Sequence, residues 1–494
     1  MTNHKPSAAT LRAATSRAGT SSVQRRSFLR GGATLAGALG VGSIGNLLLG
    51  TRAAHAADYK ALVCVFLYGG NDGLNTIVPT DAAAYQQYAG VRGGLAIPKS
   101  ALVPLAGTDY GLHPSLAALA TAWNAGGLAP VLNVGPLHAP LTKAQFRAAA
   151  PNSAAVPDNL FSHSDQQVLW EAGGADALER TGWGGRASQA LATVNPVISV
   201  AGNARFGQSE LQTPLVLPQP GAVFGAYGLQ PDDMQWPVYA ARKAAIDALY
   251  APAQELALGD AYTQMQRDAF AISRRLGAVV KTLPGESGST AAIDSAFAAL
   301  YAGRAFTSAI AAQLYQVAKL VNANATVQGS RQIFFAQLNG FDTHANQVVS
   351  GSPTEGEHAR LLKDLGDALA AFHAAMKNLG LGDAVTAFTQ SDFGRTLRPN
   401  NSLGTDHAWG NHHLVLGGAV KGGAAYGTGP ELVPGGADDV GVDAWELQGR
   451  WIPTISVDQY AATLLGWFGV SETQLDTVLP NLQNFGTRRR LGFL

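Results

Sequence analysis

Seven short apolar runs punctuate this chain: KALVCVFLY (60–68), APVLNVG (129–135), PVISVA (196–201), RQIFFAQL (331–338), AVTAFT (384–389), LVLGGAV (414–420) and IPTISV (452–457). Most are continuous rather than alternating, which is how strands look when both faces of their sheet are covered. Helical periodicity falls between several of them, at 114–125, 163–172, 356–379 and 458–468. Strands alternating with helices predict an α/β fold built on a doubly wound, mostly parallel sheet. The stretch 233–327 departs from this rhythm. It is Ala-rich with apolar residues at helical spacing, and it predicts a helical insertion placed over the site.

The first 56 residues stand apart. They hold seven Lys or Arg and no acidic residue. Arg25-Arg26 precedes a soft apolar run (31–50), and Ala54-His55-Ala56 follows it as a small-x-small cleavage site. This order predicts an export signal recognised by the twin-arginine translocase, and hence a protein of the periplasm or the exterior. The glycines in the run make it too weakly apolar for a stable membrane span. What remains, 57–494, is expected to be one α/β domain carrying the insertion. Its balance is 34 − 7 = 27 basic residues against 34 acidic ones, or −7, which argues against nucleic acid as the main partner. The single cysteine, Cys64, excludes an internal disulfide and reads as a small core residue.

Ligands of open parallel sheets bind at the carboxyl ends of the strands. Those ends carry Gly69-Gly70-Asn71-Asp72, Asp342-Thr343-His344 and Ser391-Asp392-Phe393-Gly394-Arg395, with Asp406-His407 and His412-His413 ahead of the 414–420 run. Carboxylates and neutral imidazoles are ligands for divalent ions. Asp72, Asp342, His344, Asp392 and His407 are therefore candidate ligands, with His412 and His413 in reserve. That is enough for one or two ions among Zn, Mn, Mg and Ca. Two such ions clamp a transferring phosphoryl or sulfuryl group. His358 and His373 fall on the expected 356–379 helix and are read as surface positions. His113 and His138, in Pro-containing loops, are read the same way.

FLYGGNDGLNTIVP (66–79), FDTHANQ (341–347), SDFGRT (391–396) and DHAWGNHH (406–413), together with the twin-arginine pattern, resemble an exported bacterial family known as domain of unknown function fifteen hundred and one. That family is similar in turn to the alkaline phosphatase and sulfatase superfamily. The resemblance implies a doubly wound sheet of that type, with a metal site at its strand ends. It matches Asp72 to the ligand after the first strand, Asp392 to the Asp of an Asp-His-Gly element, Asp342 and His344 to an Asp-x-x-x-His pair, and His407, or else His412 or His413, to a late histidine. Two departures leave the second ion open. Phe393 stands where the superfamily has a histidine, and Asp342-x-His344 is shorter than the usual spacing, so Asp406 or His412 are alternatives.

The resemblance also implies a nucleophile at a helix start, for which Ser162 of FSHSDQQVLW (161–170) is the candidate; a bare N-cap is the alternative. His163 is a further substrate or metal contact. Arg395 is a candidate anion clamp or, alternatively, a salt-bridge partner for a nearby aspartate. The expectation is an exported metal-dependent hydrolase or transferase acting on small-molecule or polymeric phosphate or sulfate esters. The alternative is a non-catalytic secreted scaffold that binds envelope polymers.

Overall fold

The computed structural model describes residues 58–494 apart from 151–152, 154, 175 and 252–256. The expected export signal lies outside the described residues. Eight strands form the main sheet: β1 (Lys60–Tyr68), β2 (Leu128–Gly135), β3 (Ile198–Ser199), β4 (Leu215–Val216), β5 (Arg331–Asn339), β6 (Val385–Ser391), β7 (Asn411–Gly417) and β8 (Ile455–Ser456). Their spatial order is β8-β2-β7-β6-β1-β5-β3-β4. β1 sits between parallel neighbours, with Cys64 opposite Phe335 of β5 and Phe388 of β6. Only β7 runs against its neighbours, pairing antiparallel with β6 and β2. The fold is the expected α/β class with a mostly parallel sheet, and α1 (Ala82–Arg92) follows β1.

β1 shows why its run has no alternation. Ala61, Val63, Val65 and Leu67 face one apolar layer, shared with α6 (Ala309–Asn322) and α7 (Glu357–Asn378). Leu62, Cys64 and Phe66 face the other, shared with α2 (His163–Ala172), α3 (Trp183–Ala190) and α8 (Val457–Phe468). Both faces of the strand are dry, so every position is apolar.

The expected 233–327 insertion divides in two. α4 (Pro237–Leu249) buries none of its residues, and α5 (Ala257–Lys281) follows it. α6, by contrast, is buried continuously from Ile310 to Val321 and covers the sheet, its polar Gln313, Gln316 and Lys319 donating to backbone carbonyls. His113, His358 and His373 are not surface residues: all three are buried, the last two on the core side of α7. His358 Nε2 lies 3.0 Å from Asn71 Oδ1. No described helix is long and apolar enough to cross a membrane.

Because β1, β5 and β6 are parallel, their carboxyl ends share one edge of the sheet. β7 brings its amino end there because it runs the other way.

Candidate metal centre

Three loops meet at that edge almost backbone to backbone. Gly69 and Gly70 have φ of 110° and 79°, which a side chain would strain. A Cβ on Gly69 would lie 2.4 Å from Asp342 N, and one on Gly70 2.4 Å from the Phe393 ring. Phe341 N donates to Tyr68 O at 3.1 Å. The 391–413 excursion then turns back on itself. Gly394 N donates to Trp409 O and Thr396 N to Asp406 O, each at 3.0 Å, so Asp406 and His407 return over the 341–344 loop. Arg395 is the strut of this junction. It is buried, and it donates to Gly70 O at 2.8 Å, Thr405 O at 3.1 Å, Phe341 O at 3.1 Å and Asp342 Oδ1 at 2.6 Å, besides Gly69 O.

Asp342 Oδ1 is the hub of a histidine cluster. His163 Nε2 and His344 Nε2 each lie 3.2 Å from it, and His407 Nε2 3.5 Å. The ligand atoms of His163, Asp342 and His407 all fall within 4.8 Å of one another. Every ring turns its other nitrogen outward to an oxygen. His163 Nδ1 meets Asp392 Oδ2 at 2.7 Å, His344 Nδ1 meets Asp406 Oδ1 at 2.9 Å, and His407 Nδ1 meets Phe161 O at 2.7 Å. These acceptors fix the proton of each neutral ring on Nδ1 and leave the Nε2 lone pairs facing inward. Phe393 is the floor, with its ring centroid 4.7 Å from those of His163 and His407.

The cluster passes two tests of fit to a cation. His163 Nε2 is buried with no hydrogen-bond partner. His344 Nε2 and His407 Nε2 stand 2.8 Å apart, so two lone pairs oppose each other unless a proton or a metal lies between them. A four-coordinate ion would spread such nitrogens to about 3.3 Å, given nitrogen–zinc bonds of about 2.05 Å. The charges of Asp342 and His407 suit a cation, whereas the carboxylate behind His163 favours its protonated form. Burial works against ionisation of Asp342, but the Arg395 hydrogen bond and charge hold its carboxyl down at about 2. His163 is raised by its bond to Asp392, and burial lowers His407. The site is open, since Asp342 and His344 keep 48% and 45% of their side-chain surface.

Of the expected ligands, Asp342, His344 and His407 come together. Asp392 stands one bond behind, holding His163 while accepting from Gln167 Nε2 at 2.8 Å and Gly69 N at 3.1 Å. Asp72, His412 and His413 are not brought to the cluster. Asp72 is buried, with Oδ1 2.5 Å from Arg92 Nη2 and Oδ2 accepting from Gln347 Nε2 at 2.6 Å. His412 and His413 lie inside β7, because the strand starts at Asn411 rather than 414. His412 Nδ1 accepts from Asn133 N at 3.0 Å, and His413 packs edge-on against Trp170 at 4.7 Å. Arg395 is committed to carbonyl oxygens and Asp342, so it takes the salt-bridge alternative. Ser162 precedes α2, but its hydroxyl donates to Asp165 Oδ2 at 2.5 Å and makes no capping bond.

His163, expected as a further contact, is central to the cluster. The helix start places it, since N1 of α2 points its ring at the strand ends. Asp406, read only as an alternative ligand, orients His344. Phe161 gave no sign in sequence, because its part is played by a backbone carbonyl.

A comparison with curated proteins finds no match. Among solved structures, the crystal structure of Ps i-CgsB in complex with k-i-k-neocarrahexaose is similar at 12% identity and a TM-score of 0.32, covering 86% of this chain and 77% of that one. The PsFucS1 sulfatase from Pseudoalteromonas sp. is similar at 10% identity and a TM-score of 0.31, covering 76% of this chain and 66% of that one. Overlaps this loose bear on neither chemistry nor substrate. The family model described as "Protein of unknown function (DUF1501)" matches residues 59–443, and the chain belongs to that family.

Proposed function

We propose that this protein is an exported, metal-dependent hydrolase or transferase acting on phosphate or sulfate esters. One observation carries the reading: three imidazole Nε2 atoms face a single carboxylate oxygen while their outer nitrogens are already engaged. His163, His344, His407 and Asp342 would hold the ion. Imidazole-rich donors suit zinc and its transition-metal neighbours better than Mg or Ca, so zinc is favoured among the ions considered. Such an ion supplies positive charge that polarises an ester oxygen and lowers the pKa of water.

The chain's own groups prepare that chemistry. Asp392 and Asp406 keep the protons of His163 and His344 on the outer nitrogens. Arg395 ties Asp342 to the loop after β1, and Phe393 fixes the ring planes. Because the Ser162 hydroxyl is given to Asp165, the nucleophile in this reading is water. Export rests on the Arg25-Arg26 pattern, and replacing both with Lys should leave the precursor in the cytoplasm.

A second reading, the non-catalytic scaffold, is favoured by the donor count. Structural zinc sites use four protein ligands, whereas catalytic ones keep a position open. Three donors, His163, Asp342 and His407, share one point, His344 stands 2.8 Å from His407 as a fourth within reach, and Arg395 is spent on carbonyls and Asp342 rather than on an anion. The deciding experiment strips the protein with a chelator, reloads it with zinc, and assays aryl phosphate and aryl sulfate esters with and without the ion. Zinc-dependent turnover of either class supports the hydrolase. Tight stoichiometric zinc with no turnover on any ester supports the scaffold.

A further inference from the structure

The loop ahead of α2 holds two non-glycine residues with left-handed backbone, Asn159 (φ 44°) and Phe161 (φ 73°). A bulky residue stays there only where its surroundings enforce it, and such outliers gather at functional sites. From this position the Phe161 carbonyl accepts from His407 Nδ1 at 2.7 Å. The Phe161 ring lies 4.9 Å from the Arg450 guanidinium, within cation–π range. Arg450 Nε donates in turn to His407 O at 3.0 Å, and its Nη2 to Gln448 Oε1 at 3.1 Å. The contacts close a loop: His407 is held by its ring through Phe161 and by its backbone through Arg450, and those two hold each other. Its neighbours are served differently. His163 and His344 each have a carboxylate behind Nδ1, whereas His407 has only this carbonyl.

We infer that Phe161 and Arg450 are positioning residues, a brace that sets the tautomer and aim of His407 Nε2 and so the affinity of the cluster for a zinc-like ion. The inference rests on the metal reading above. A merely structural Phe161 makes an opposite prediction, because glycine at a left-handed position relieves strain and would leave the metal untouched.

The test uses the full chain, stripped with a chelator. Zinc affinity is measured by competition with a chromophoric chelator, and site symmetry from the visible spectrum of the cobalt(II) form. Phe161→Tyr keeps the ring and should bind zinc as the wild type does. Phe161→Gly and Arg450→Met should weaken zinc by about 10–100-fold, the range for partners that orient a ligand. Both should change the cobalt spectrum, which a loss of packing alone would leave as it is. If Arg450→Met does not fold, Phe161→Gly decides alone. Wild-type zinc affinity in Phe161→Gly, with binding abolished in His407→Ala, overturns the brace and leaves the metal site standing. A wild type that takes up no zinc overturns the metal reading and the brace with it.

Discussion

Two aspartates follow two neighbouring parallel strands, and they meet opposite fates. Asp72, after β1, is fully buried, and both its oxygens are taken by Arg92 and Gln347. Asp342, after β5, keeps 48% of its side-chain surface and faces three imidazole nitrogens whose lone pairs have nowhere else to go. Burial opposes ionisation of Asp72, but the Arg92 charge and the Gln347 bond hold its carboxyl below the usual range. It therefore carries its counter-charge inside the fold. Asp342 also has an arginine, yet Arg395 fills only one side of it. Ligand-type residues at a strand end thus divide by whether their partners are already present: a closed polar network rigidifies, and converging unfilled lone pairs call for a cation.

The largest effect that sharpens this contrast is acid sensitivity of the closed region. Burial holds His113 and His413 at about 3, and His358 and His412 at about 4, so all four are neutral in the native state. An unfolded histidine titrates near 6.5. Below that value the unfolded chain binds more protons than the native one, so stability is full above pH 7 and falls as pH drops from about 6.5 to 4. With all four neutral the slope reaches about 5 kcal/mol per pH unit. Denaturant midpoints at pH 7, 5.5 and 4.5 measure it, and a flat profile would mean that these histidines are solvated.

Next in size is the ion pair itself. Asp72→Ala leaves the Arg92 guanidinium buried without its carboxylate, which costs about 3–5 kcal/mol. Metal content of the surviving folded fraction should match the wild type. Asp342→Ala should lose metal, and it should also cost some stability, less than Asp72→Ala, because the buried Arg395 loses its carboxylate but keeps its carbonyl acceptors. Loss of metal from a stable Asp72→Ala protein would erase the distinction between the two regions.

Smaller again is the partner behind His344. Asp406→Ala removes the acceptor at 2.9 Å that holds the His344 proton on Nδ1. Zinc affinity should fall about tenfold, the low end for such partners, because Asp406 is partly exposed and water can replace it. Isothermal titration against the stripped protein reads this directly. Unchanged affinity would make His344 a bystander.

The sequence exposed the strands and the edge far better than it exposed the partners. β1 and α2 begin and end where the apolar run and the helical pattern do, since both are local properties. β4 was missed because Leu215–Val216 lies between Pro214 and Pro218, which mask a strand. The start of β7 was missed for a different reason. Asn411-His412-His413 is polar by residue type, and it becomes strand only by meeting Asn133 across a register shift in β2. The same limit applies at the site. Asp342, His344 and His407 were readable because type and strand-end position coincide. Nothing local marks Arg92 as the guanidinium that closes off Asp72, and no side-chain pattern announces the Phe161 carbonyl.

Ser162 carries the smallest expected effect and the sharpest check on the chemistry. It occupies the N-cap of α2, one residue before His163, so it stands close to the candidate centre. Its hydroxyl is nevertheless oriented away from capping: it donates to Asp165 Oδ2 at 2.5 Å and lies 3.1 Å from Ser164 Oγ. Asp165 keeps a second donor in Ser164 when Ser162 is truncated. Ser162→Ala should therefore cost no more than about 0.5–1 kcal/mol, the low end for one hydrogen bond near solvent. Zinc affinity should not move, because no ligand or ligand partner is touched. Turnover on whichever ester the wild type hydrolyses, corrected for folded fraction, should also persist if water is the nucleophile. Loss of turnover in a folded, zinc-replete Ser162→Ala protein would instead require the hydroxyl to leave Asp165 and attack the ester itself. A single-turnover burst of the alcohol product, present in the wild type and absent in the variant, would then report the covalent intermediate.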